Sequence, residues 1–139
     1  MKLFNIEASR NLTLPDMYIN IGHFLDHFMM LIFAKAAFDA GRHFGLGYDE
    51  IIIYGTLGLF LFGAAAPVAG WLADKYSRSI IMIIYPFGVS LGAFLCFLSS
   101  SPIMLGFSIG VIGFFAAIFH PVGIAMLIRD SKKVGFRLG

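Results

Sequence analysis

The chain has 139 residues, a formal net charge of +2, 59% hydrophobic and 13% charged residues, and a mean hydropathy of +0.87. A water-soluble domain cannot bury that much apolar surface, so the solvent of this fold is lipid, with room for roughly four or five helical crossings of about 20 residues each. The ten basic residues are scattered between apolar runs and Cys96 is the single cysteine, which excludes a nucleic-acid surface, an internal disulfide and a cysteine-based metal cluster.

The polar stretch from Lys2 to Asp16 has no signal-peptide layout, so the first apolar run is expected to stay as a helix. Asn11-Leu12-Thr13 fits the glycosylation pattern by chance. The first span is predicted over residues 17–38, with Pro15 in its first turn and Thr13 as a cap. Within it, His23, Asp26 and His27 stand at i, i+3 and i+4 and share one helical face, which Asn20 and Asp16 extend. Ionisable groups within a span are costly against lipid, so this face is expected to line a pathway and not to fill a core.

The second span is predicted over residues 51–73 and the third over 80–98, where Tyr85-Pro86 offers a bend. Ser99 to Ser101 with Pro102 form a tight turn into the fourth span, over 103–128. Small residues recur at Gly63, Ala66 and Gly70 of the second span and at Gly106, Gly110, Gly113 and Ala117 of the fourth, as close helix packing requires. His120 lies eight residues from the inner end of the fourth span and Asp26 nine from that of the first. Both are therefore about 12 to 14 Å deep at 1.5 Å per residue, level with one another. Pro121 removes a backbone donor at the same depth and gives the helix a place to flex.

Orientation follows from the basic residues. Lys2 and Arg10 precede the first span, Lys75 and Arg78 join the second to the third, and Arg129, Lys132, Lys133 and Arg137 follow the fourth, leaving only Lys35 and Arg42 for the opposite side. Both ends are thus expected on the cytoplasmic face, with Lys35 snorkelling outward. The expected fold class is all-α, a polytopic membrane bundle of four helices with the lipid bilayer as its surroundings.

The turn from Gly70 to Arg78 concentrates charge in a very apolar chain: Gly70, Asp74 four residues on, Lys75 next, then Arg78. It resembles the signature loop of the major facilitator superfamily, although Ser77 stands for the second glycine and Ser79 for the last basic residue. The resemblance implies that Asp74 latches the cytoplasmic gate, with Arg78 and Arg129 as its partners. It also implies that the first and fourth helices line the central pathway. Gly22-His23 with Asp26, and Phe119-His120-Pro121, resemble the branch that includes bacterial fosmidomycin-resistance exporters, whose setting is the bacterial inner membrane.

The expected function is secondary transport of a small molecule or ion, with Asp26 exchanging a proton under the influence of His23, His27 and His120, and with no cofactor and no resident metal. Val134 to Gly139 look like the start of a fifth helix, so the chain is expected to be the N-terminal part of a carrier whose remaining helices are its partners. Two rivals stand beside this. His23-Phe24-Leu25-Asp26-His27 resembles an inverted zincin motif with Asp in place of Glu, the mark of an intramembrane hydrolase, or in a softer form of a carrier for a transition-metal ion. The other is a self-contained four-helix exporter or structural membrane subunit.

Overall fold

A computed structural model describes residues 14–129. Thr13, Asn11, the basic residues Lys2, Arg10, Lys132, Lys133 and Arg137, and the expected fifth helix at 134–139 lie outside that range. The described residues form helices α1 (Leu14–Phe44), α2 (Tyr48–Ile52), α3 (Thr56–Lys75), α4 (Arg78–Phe97), α5 (Pro102–Ala116) and α6 (Phe119–Arg129), with no strand among them. Four segments are long and apolar enough to cross a membrane: α1, α2 running into α3, α4, and α5 running into α6.

α1 has 31 residues, about 46 Å at 1.5 Å per residue, half as long again as a hydrocarbon core of about 30 Å. It ends where Gly45 takes a positive φ of 70°, the left-handed conformation that a glycine adopts beyond a helix C-terminus without a Cβ clash. The Lys35 ammonium lies 2.6 Å from the Asp39 carboxylate, one turn further along α1. The second span is longer than its apolar run. It begins at Tyr48 and passes through a single 3₁₀ turn at Ile53–Gly55 before α3.

α4 keeps Pro86 in its interior without breaking. A proline cannot donate to the carbonyl four residues back, here that of Met82, and the Tyr18 hydroxyl of α1 approaches the same oxygen at 3.5 Å. The Ser99–Ser101 turn leads into α5 as its residues dictate: Ser101 Oγ accepts from the Met104 amide at 3.2 Å and Pro102 takes the first helical position.

The fourth span is not one helix. Pro121 leaves the Ala117 carbonyl without its i+4 donor, and the chain tightens there, the Ile118 amide bonding back only three residues to Phe115. α6 resumes at Phe119. His120 therefore sits in the first turn of α6, just after this tightened turn.

The core of the bundle is the contact of α5 with α3 and α4. It is built from absent side chains: a Cβ on Gly113 would overlap the Gly58 backbone, and one on Gly92 would stand 2.8 Å from the Ile112 amide nitrogen. These are distances real Cβ atoms do not reach, so backbones touch where larger residues would hold them apart. In the second span the expectation fails at Gly63 and misses the tightest positions. Gly63 has open space around its Cβ direction, while Gly58, Ala65, Ala69 and Ala73 are the buried ones. The apolar core continues through Met82, Tyr85, Ile118, Phe119 and Val122. Large residues such as Phe60, Phe87, Phe97 and Phe107 point out of the bundle, as a lipid solvent permits.

Candidate functional site

α1 meets the bundle along Ile19, Gly22, Asp26, Phe33 and Ala37, a row of helical period whose members are buried or half-buried. Its contacts are of two kinds. Near its start, the Tyr85 hydroxyl donates to the Gly22 carbonyl at 3.3 Å, and the Phe119 ring fills the space a Cβ on Gly22 would need. Near its end, Gly41 packs under the turn at Leu46 and Gly47. Between the two lies a cavity of about 310 Å³, lined by Asp26, Met29, Phe33, Tyr85, Ile109 and Ile112 among others. Its other lining groups are apolar, apart from Cys96.

Asp26 is the polar pivot of this arrangement. Only 3% of it is exposed, and its Oδ2 stands 3.4 Å from His120 Nδ1 across the α1–α6 contact. Neither of these two atoms has a hydrogen-bond partner within ordinary geometry. An aspartate at the centre of a span costs about 3 kcal/mol on insertion scales, and an unmade bond between two buried polar atoms adds to that. A leucine here would fill the same space without the penalty.

The other two histidines complete the group from α1. His23 and His27 bring their Nε2 atoms to 3.0 Å of each other, and one ring nitrogen from each of His23, His27 and His120 lies within 4.8 Å of those of the other two. His23 stacks on Phe119 at 5.7 Å, and Phe62 of α3 stands edge-on to His120 at 5.7 Å, so the rings are held by aromatic neighbours on both sides. His23 and His27 open to the outside of the bundle, while Asp26 faces inward. The stripe read along α1 therefore splits: Asp16 and Asp26 are buried, and Asn20, His23 and His27 are exposed.

The charged turn forms a second centre. Arg78 Nη2 donates to Asp74 Oδ1 at 2.8 Å across one helical turn's spacing, and the Lys75 ammonium lies over the Trp71 ring at 4.8 Å. The Arg129 side chain lies outside the described residues, so of the two partners expected for Asp74 the structure describes Arg78. Gly70 does bring a neighbouring helix close, but less tightly than expected: a Cβ there would meet Pro121 Cβ at 3.6 Å, an ordinary contact.

Sequence reading missed Tyr85, Phe119 and Phe62 as parts of the site. Tyr85 had drawn notice only for the proline beside it, yet a tyrosine hydroxyl inside an apolar run must find a partner when buried, and that was the available signal. Comparison with known proteins gives one match: residues 19–139 fit the family model of the Major Facilitator Superfamily. No curated protein and no solved structure matches.

Proposed function

The chain belongs to the major facilitator superfamily, and from that premise we propose that this multi-pass membrane transporter moves a small solute by secondary transport coupled at Asp26. The observation that carries the proposal is the buried Asp26 carboxylate of α1 facing His120 of α6 at 3.4 Å, beside a cavity. A carboxylate in that setting changes its interactions with its neighbours whenever it gains or loses a proton, and the lost backbone bond at Pro121 gives α6 a place to flex in answer. Asp74 with Arg78, Lys75, Gly70 and Arg129 form the gate at the cytoplasmic face, and both termini lie on that face, in the inner membrane of a bacterium. The likeness of Gly22-His23, Asp26 and Phe119-His120-Pro121 to the fosmidomycin-resistance branch supports the placing of the pathway and names no substrate.

The test uses everted membrane vesicles holding the intact protein, an imposed pH gradient followed by a dye, and a panel of small solutes. A solute that dissipates the gradient with the wild type should lose that effect at least 100-fold with Asp26→Asn. Equal dissipation by the two proteins removes Asp26 from coupling.

A further inference from the structure

We infer that His23, His27 and His120 form a binding site for a divalent first-row transition-metal ion, zinc in the first instance. Three imidazoles converge from two helices, one nitrogen of each within 4.8 Å of the others. Zinc takes nitrogen at about 2.0 to 2.1 Å, which in tetrahedral geometry separates two ligand nitrogens by roughly 3.4 Å. The His23–His27 separation of 3.0 Å is already close to that figure, and both side chains are exposed. Their spacing of four residues on α1 is the spacing that puts two imidazoles on one face.

A second observation points the same way. His120 Nδ1 is buried and faces the unpartnered Oδ2 of Asp26. A carboxylate on one imidazole nitrogen fixes the tautomer and makes the other nitrogen the better ligand, the arrangement that supports metal-binding histidines generally. Asp26 thereby positions the His120 ring beside His23 and His27, and the ion adds positive charge next to the unpartnered Asp26 Oδ2. Three protein ligands leave a fourth position open, which suits an exchangeable ion. Resting on the carrier reading above, the ion is a cargo of the pathway. Imidazole donors favour zinc, cobalt, nickel, copper and iron over calcium and magnesium.

The experiment titrates the purified intact protein in detergent with Co²⁺, reads the ligand-field absorption of the low-coordinate ion, and then displaces it with Zn²⁺. One equivalent should bind. His23→Ala and His120→Ala should each weaken binding at least 10-fold, Asp26→Asn should weaken it about 10- to 100-fold, and His43→Ala, which alters the remaining histidine of the chain, should leave it unchanged. His27→Cys replaces an exposed ligand without disturbing packing, and should keep the ion while adding a sulfur-to-cobalt charge-transfer band. No saturable binding, binding indifferent to His23 and His120, or a His27→Cys protein without the new band overturns the site. Movement of radioactive zinc in proteoliposomes separates the two readings. Zinc bound at the triad while no solute moves supports the site and overturns the carrier; another solute moved with Asp26 dependence and no zinc bound overturns the site and leaves the carrier standing.

Discussion

α1 and the trio of α3, α4 and α5 are held in place by different physics. The trio is joined by missing side chains, with Gly58 against Gly113 and Gly92 against Ile112, so that backbone meets backbone and dispersion does the holding. α1 also uses glycine gaps, filled by Phe119 at Gly22 and by Phe33 at Gly55, but adds directed contacts: Tyr18 to the Met82 carbonyl, Tyr85 to the Gly22 carbonyl, and Asp26 toward His120. Within its most apolar stretch 11% of α1 is buried, against 17% for the span that holds α3, 28% for α4 and 44% for the span of α5 and α6. A close-packed pair has one good arrangement, whereas a helix attached by a few polar contacts and a cavity has several of similar energy. We therefore expect the trio to act as the frame and α1 to be the more loosely held helix.

The comparison breaks first at Gly113. Gly113→Val forces two backbones apart, and we expect overpacking of about 3 kcal/mol or more, read as a fall in the detergent melting temperature and loss of monodisperse protein. A Gly113→Val protein with unchanged melting behaviour shows that the contact is not what joins α3 to α5. On α1 the same kind of measurement should give much less. Tyr18→Phe removes one hydroxyl from a long, partly buried bond and should cost about 1 kcal/mol, with the larger effect on transport rate because the Met82 carbonyl beneath Pro86 loses its outside donor. A Tyr18→Phe protein as unstable as Gly113→Val contradicts the division between the frame and the more loosely held helix.

That division explains what the sequence disclosed. Span number and class follow from hydropathy alone, because lipid admits no other solution for runs such as 80–98. The level of Asp26 with His120 was legible from helical rise, since Pro121 breaks the span without shifting depth by more than a fraction of a turn. Burial was not legible. Hydropathy cannot distinguish a glycine facing a partner, such as Gly58, from one facing outward, such as Gly63, when both lie in the same run. Nor does a helical wheel say that Asp26 turns inward while His23 and His27, on the same stripe, remain outside; that depends on where α6 passes.

The smaller effects lie at the charged turn. Asp74→Asn breaks an exposed ion pair with Arg78 that contributes little to stability, so the melting temperature should stay within about 1 °C. Solute-driven cycling should nevertheless slow about 10-fold, with solute affinity nearly intact, as the proposed role of the pair at the gate requires. Lost affinity in a well-assembled Asp74→Asn protein places the aspartate in the pathway instead.

The smallest expected change separates packing from gating most cleanly. Gly70 lies where α3 passes α6, and a methyl group there meets Pro121 Cβ at 3.6 Å, which is ordinary contact. Gly70→Ala should leave stability unchanged or raise it by about 0.5 to 1 kcal/mol, since alanine is the better helix former. If the glycine serves only this arrangement, transport should be unchanged as well. If α6 closes further on α3 during the cycle, the methyl group meets Pro121 in the closed state alone. Gly70→Ala then combines full stability with slowed turnover, a pairing that no defect of the frame can produce. Measured side by side, the melting temperature and the rate decide between these outcomes, and they test whether the Pro121 break is the joint on which α6 swings.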